Sequence, residues 1–135
     1  MILADTSVWV DHLRAGDELL AWHLERGELL MHPFVLGELA CGNLPRRAEL
    51  LVLLHQLPRC PPATDKEVMR FIERHRLMGQ GIGWVDAHLL ASLALSGERC
   101  LWTRDRRLAE AVASLGYAAR PDDPRGNLHE PRGAP

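Results

Sequence analysis

The sequence predicts an α/β fold in which a short parallel sheet is sandwiched between helices on both faces. Three observations predict it. Short apolar runs recur along the chain, helix-period segments follow them, and the junctions carry residues that cap helices. Strands that alternate with helices pair in parallel through crossover helices, which cover both faces of the sheet. With 135 residues, 47% hydrophobic and 25% charged, the chain is long enough to close one hydrophobic core, so one domain is expected.

Residues 1–4, MILA, read as the first strand, ending at Asp5, Thr6 and Ser7, whose side chains suit a helix start. A helix follows through Leu13. Gly16 punctuates, and Leu19, Leu20, Trp22, His23 and Leu24 mark a second helix ending at Gly27. Residues 28–32, ELLMH, form the second strand, and Pro33 suits the first turn of a helix running to Gly42. Pro45 opens the next helix, through Leu57, with Leu50, Leu51, Leu53 and Leu54 spaced for one buried face. Residues 58–62 form a turn with room for a short strand. Thr64 and Glu67 make a capping box, so a helix should run to about Met78. Gly79, Gly81 and Gly83 form a loop, and a strongly apolar helix over 84–96 ends at Gly97. Residues 99–103 are a strand, 105–115 a helix ended by Gly116, and 117–119 a last short strand. From Pro121 the chain reads PDDPRGNLHEPRGAP, so the domain is expected to span 1–120 and residues 121–135 to form a loose tail.

The net charge of -2 excludes a global positive field that would draw the protein onto nucleic acid, so any phosphate contact must be local. Cys41, Cys60 and Cys100 are odd in number and lack CxxC spacing, which argues against a disulfide framework and a zinc site and fits a reducing cytosol. No signal peptide is legible at the start, and no run approaches the ~20 apolar residues of a membrane span. A cytoplasmic protein without a membrane anchor is expected.

Four acids carry the chemistry. Asp5 lies just past the first strand and Asp105 just past the 99–103 strand, so a parallel sheet brings both to one edge, where sites of such sheets lie. Each also reads simply as a cap of the helix that follows. Glu38 has Phe34, Val35, Cys41 and Gly42 three and four residues away, an apolar face on which a carboxylate needs a cation or a hydrogen-bond donor unless it reaches water at the stripe's edge. Asp86 shares a face with Leu89, Leu90 and Leu93, or serves as a negative charge at a helix N-terminus. Carboxylates that converge repel one another unless a cation sits among them, and hard oxygen donors select Mg²⁺ or Mn²⁺ over zinc. Such ions serve phosphodiester hydrolysis.

Residues 1–10 (MILADTSVWV), the Glu38 helix, residues 83–88 (GWVDAH) and residues 101–108 (LWTRDRRL) together resemble the PIN domain of VapC toxins from bacterial toxin–antitoxin pairs. The match spans residue 1 to about 119, in order and spacing. The resemblance implies a PIN-like sandwich and a Mg²⁺- or Mn²⁺-dependent endoribonuclease that leaves 5′-phosphate and 3′-hydroxyl ends. It also implies a homodimer, and a cognate antitoxin whose tail occupies the active-site groove. The family's acidic positions fall on Asp5, Glu38, Asp86 and Asp105; its hydroxyl after the first acid falls on Thr6 or Ser7, and the hydroxyl before the last on Thr103. These hydroxyls would orient ligands or water.

Arg104, Arg106 and Arg107 flank Asp105 and are candidates for RNA or antitoxin contact, or else a solvated basic patch. Arg70, Arg74, His75 and Arg76 form a second basic cluster, read as a solvated face. Asp11 is a fifth nearby acid, read as exposed in the first helix or else as a further metal ligand. His88 lies two residues past Asp86, and at about 100° per residue the two side chains diverge, so His88 is read as lying on the polar side with Ser92 and Ser96. HExxH, GxSxG and GxxxxGK[ST] motifs are absent from the sequence. The alternative to a nuclease is a non-catalytic PIN-like module that binds RNA or protein. A phosphatase with Asp5 as nucleophile is a weaker alternative, because Ser7 stands where such enzymes often carry a second acid.

Overall fold

In the computed structural model, which describes residues 1–125, the apolar runs form three strands. These are β1 (Ile2–Ala4), β2 (Leu29–Leu30) and β3 (Cys100–Trp102), and every residue in them is buried, as a sheet covered on both faces requires. Their order is β2-β1-β3, all parallel, with Ile2 opposite Leu29 on one side and Cys100 on the other. Isolated parallel bridges extend both edges, Met31 to Arg59 and Cys100 to Ala118. The short strands expected over 58–62 and 117–119 therefore supply single rungs.

Seven helices lie among the described residues: α1 (Thr6–Ala15), α2 (Glu18–Glu25), α3 (Pro33–Ala40), α4 (Arg47–His55), α5 (Asp65–His75), α6 (Trp84–Ser96) and α7 (Arg106–Ser114). The capping box forms as its spacing predicts: the Thr64 hydroxyl accepts from the Glu67 amide at 3.1 Å, and Glu67 accepts from the Thr64 amide at 2.8 Å. Among the boundaries that differ from expectation, two have a visible backbone cause. Arg46 takes a left-handed conformation (φ 49°), so α4 opens after it rather than at Pro45. Arg76 does the same (φ 52°) and ends α5 short of Met78; the Leu77 amide folds back on the Ile72 carbonyl, and Leu77 is buried. Among the described residues no helix is long and apolar enough to cross a membrane.

α6 packs against α5 and β3 and is buried on nearly all sides. His88 and Ser92, read from the sequence as polar-side residues, are therefore interior. A helix enclosed all round has no polar side to show, and periodicity alone misplaces its few polar residues. The His88 ring lies against Phe34 (4.4 Å between centroids) and Trp84 (4.6 Å). Its Nε2 is 3.1 Å from an Asp65 carboxylate oxygen, off hydrogen-bond geometry.

His32 is fully buried at the start of α3 and caps it: Nδ1 accepts from the Phe34 amide at 3.0 Å. The ring proton therefore sits on Nε2 and is donated to Ser92 Oγ at 3.0 Å, an oxygen that also accepts from the Ala63 amide. Burial, then the nearby charges of His88 and Arg59, push the His32 pKa down from 6.5 to about 4.

Candidate active site

β1 and β3 end side by side, with the Asp5 amide donating to the Trp102 carbonyl at 2.9 Å, so Asp5 and Thr103 emerge as neighbours. Asp5 caps α1 through the Val8 amide (3.3 Å), and its carboxylate also accepts from Ser7 Oγ at 2.5 Å and from Thr103 Oγ1. Burial of this side chain outweighs those donors and holds its pKa above the usual carboxylate value. Asp105 caps α7 through the Leu108 amide at 3.0 Å, and its own amide donates to Thr103 Oγ1 at 3.0 Å. One hydroxyl thus ties both strand-end acids together.

Asp86 lies in the first turn of α6, where its carboxylate accepts from the Gly83 amide at 3.3 Å. Glu38, on α3, accepts from Thr6 Oγ1 at 2.5 Å and is exposed. Its apolar neighbours are present, with Val10, Leu13, Leu39 and Leu44 lining the same cavity, but they leave the carboxylate open to water. Val35 and Leu39 take the core, and Glu38 stands at the edge of their stripe.

Asp5, Asp86 and Asp105 are all helix starters, as their plainest reading has it. They also meet. The Asp86 pKa is raised first by burial and then by the charges of Asp105, Asp5 and Glu38 in turn. Asp5 and Asp105 start helices at the ends of parallel strands, Asp86 lies in the first turn of α6 after the glycine loop and Glu38 within α3, so four separate segments bring the acids within Coulombic range of Asp86. Among the described residues no three His, Cys, Asp or Glu side chains already close around one point. The acids face one another at Coulombic range, and an all-oxygen donor set of this kind suits a hard divalent cation.

The arginines divide. Arg104 pairs with Asp11 at 3.2 Å and with Asp17, while its amide donates to Ser7 Oγ at 3.0 Å. Asp11 therefore faces Arg104 and Arg14. Burial opposes ionisation of Asp17, yet the Leu20 amide and Arg104 outweigh it and hold its pKa below the usual value. Arg106 is exposed. Arg107 lies across the loop before α6: a Cβ on Gly81 would come within 2.5 Å of Arg107 Cδ, and Gly81 also has φ +80°. Only glycine adopts that backbone without strain and leaves the arginine its place. The sequence reading passed over Asp17, although Gly16-Asp17-Glu18 before an apolar segment is a cap signature, and Asp17 does cap α2.

Residues 2–113 match the PIN domain, a span that begins with β1, ends within α7 and holds all four acids. Ribonuclease VapC32 of Mycobacterium tuberculosis, in both strain CDC 1551 / Oshkosh and strain ATCC 25618 / H37Rv, is 50% identical to the chain over 118 residues. The aligned part covers 87% of this chain and 95% of the relative. The chain is a PIN-domain protein of the VapC family. As in the fold predicted from the sequence, this PIN domain is an α/β sandwich on a short parallel sheet, with Asp5 and Asp105 just past the carboxyl ends of β1 and β3.

Proposed function

We propose that this PIN domain is a Mg²⁺- or Mn²⁺-dependent endoribonuclease, the toxin of a toxin–antitoxin pair. The observation that carries the reading is the mutual repulsion at Asp86, which meets three other carboxylates. Membership of the VapC family and the relative named a ribonuclease support it. Asp5, Glu38, Asp86 and Asp105 would hold the cation. When bound, it supplies positive charge that orients a phosphodiester, eases loss of a proton from the attacking water and stabilises the leaving oxygen. The protein's part is to aim the donors: Ser7 and Thr103 fix the two Asp5 oxygens, Thr6 holds Glu38, and Thr103 sets the backbone from which Asp105 projects. On this reading the nuclease domain spans 1–120 with 121–135 appended, of which residues 126–135 lie outside the described residues. The protein works in the cytoplasm as a homodimer restrained by a cognate antitoxin.

Purified, antitoxin-free protein incubated with a mixed RNA pool tests this. Fragments are expected in Mg²⁺ or Mn²⁺ and none in EDTA; a folded, metal-binding protein that cuts nothing would favour the non-catalytic RNA- or protein-binding module. Thr103→Val is expected to lower cleavage about 10–100-fold, because the hydroxyl that positions Asp5 and Asp105 is lost while the fold is kept. An unchanged rate in that variant would show that Thr103 is an ordinary strand residue.

A further inference from the structure

Beside the acids a cavity of about 570 Å³ opens, and Thr103, the hydroxyl donor to Asp5, forms part of its wall. Asp17, Glu18, Trp102, Arg104, Arg120 and Arg125 line it. The volume lies in the range of small-molecule sites and admits a nucleoside. Three guanidinium groups share the cavity with two carboxylates, and that mixture decides its chemistry. A phosphate placed there meets Asp17 and Glu18 as well as the arginines. A base edge that both donates and accepts finds partners for each. Among RNA bases guanine offers O6 and N7 to a guanidinium fork and its amino and imino hydrogens to a carboxylate.

Part of the lining is held in place, and part is open to a ligand. Arg104 is fixed by Asp11 and Asp17, with its guanidinium carbon 6.0 Å from the centroid of the Trp102 ring. Asp123 fixes the plane of Arg125 through Nε and Nη2, each at 3.0 Å, and leaves Nη1 directed toward Glu18 at 3.6 Å. The Glu18 side chain is 94% exposed, and among the described residues its one ion pair is that long contact with Arg125, so it can turn to a ligand. Arg120 is exposed at the cavity's edge. Bases splayed from single-stranded RNA are commonly read by hydrogen bonds to their edges.

We propose that this cavity is a base-reading subsite that takes the guanine of a nucleotide next to the cleaved bond, with Glu18 accepting from its amino and imino groups and Arg120 donating to O6 and N7. The proposal rests on the ribonuclease reading and deepens it. Its test needs no cleavage. The ¹⁵N-labelled full chain in EDTA is titrated with GMP, AMP, CMP, UMP and inorganic phosphate while the amide signals of Asp17, Glu18 and Arg104 are followed. GMP is expected to shift them saturably and to bind about tenfold more tightly than the other nucleotides. Glu18→Ala and Arg120→Ala should each weaken GMP about tenfold while the rest of the amide spectrum stays as in the wild type. Equal binding of all four nucleotides, shifts reproduced by phosphate alone, or no shift up to about 10 mM GMP would overturn the subsite. A protein that binds GMP selectively yet cuts no RNA would keep the subsite and overturn the ribonuclease. A protein that cuts RNA without selective GMP binding would do the reverse.

Discussion

Asp86→Asn is expected to lower RNA cleavage about a thousandfold or more, about 4 kcal/mol of transition-state stabilisation, while making the metal-free protein more stable. Both effects have one origin. Burial and the charges of Asp105, Asp5 and Glu38 raise the native pKa of Asp86, so the folded protein retains a proton that the unfolded chain releases. Stability is therefore lost as pH rises from the unfolded value of 3.8 through the raised native value, and at neutral pH the ionised group is a net cost. Asparagine keeps an oxygen for the Gly83 amide and removes the charge. In EDTA at pH 7 the variant should melt above the wild type. Mg²⁺ should stabilise the wild type and leave the variant nearly unmoved. A variant that melts lower in EDTA and gains as much from Mg²⁺ as the wild type would reduce Asp86 to a helix cap.

As pH falls from 6.5 to about 4, His32 alone is expected to cost the fold about 3 kcal/mol. The sign is opposite to that of Asp86. The unfolded chain takes up a proton on His32 near 6.5, whereas the native ring, buried against Ser92 and the Phe34 amide, resists it until about 4. The contribution is thus complete above 6.5 and lost on acidification. Urea unfolding at pH 7 and pH 4.5 measures it: the wild type should lose about 2–3 kcal/mol more than His32→Gln over that interval. Equal losses in the two proteins would show that His32 is protonated in the native state without penalty.

The elements were legible because each strand is a short, wholly apolar run stopped by Asp5, His32 or Thr103, and because Thr64 and Glu67 announce α5. The nearness of Asp5 and Asp105 was legible for a related reason: parallel strands deliver their carboxyl ends to one edge, so residues a hundred positions apart become neighbours. Depth was not legible. His88 and Ser92 occupy helical positions that look polar in one dimension, and only the layers packed around α6 bury them. Glu38 is the converse case, an acid beside apolar neighbours that the packing leaves at the surface. The guanidinium-lined cavity draws on residues 16–19, 102–104, 120 and 125, four stretches that share no spacing or motif. Nothing local in the sequence could join them.

On the proposed function, four carboxylates form one cation-dependent site that cleaves RNA. The most direct test is the cleavage rate of a single RNA by wild type in Mg²⁺ and in EDTA, beside folded Asp5→Asn and Asp105→Asn in Mg²⁺. The account predicts cleavage by wild type in Mg²⁺ and loss of about a thousandfold or more in each of the other three samples. Equal cleavage in all four would contradict it.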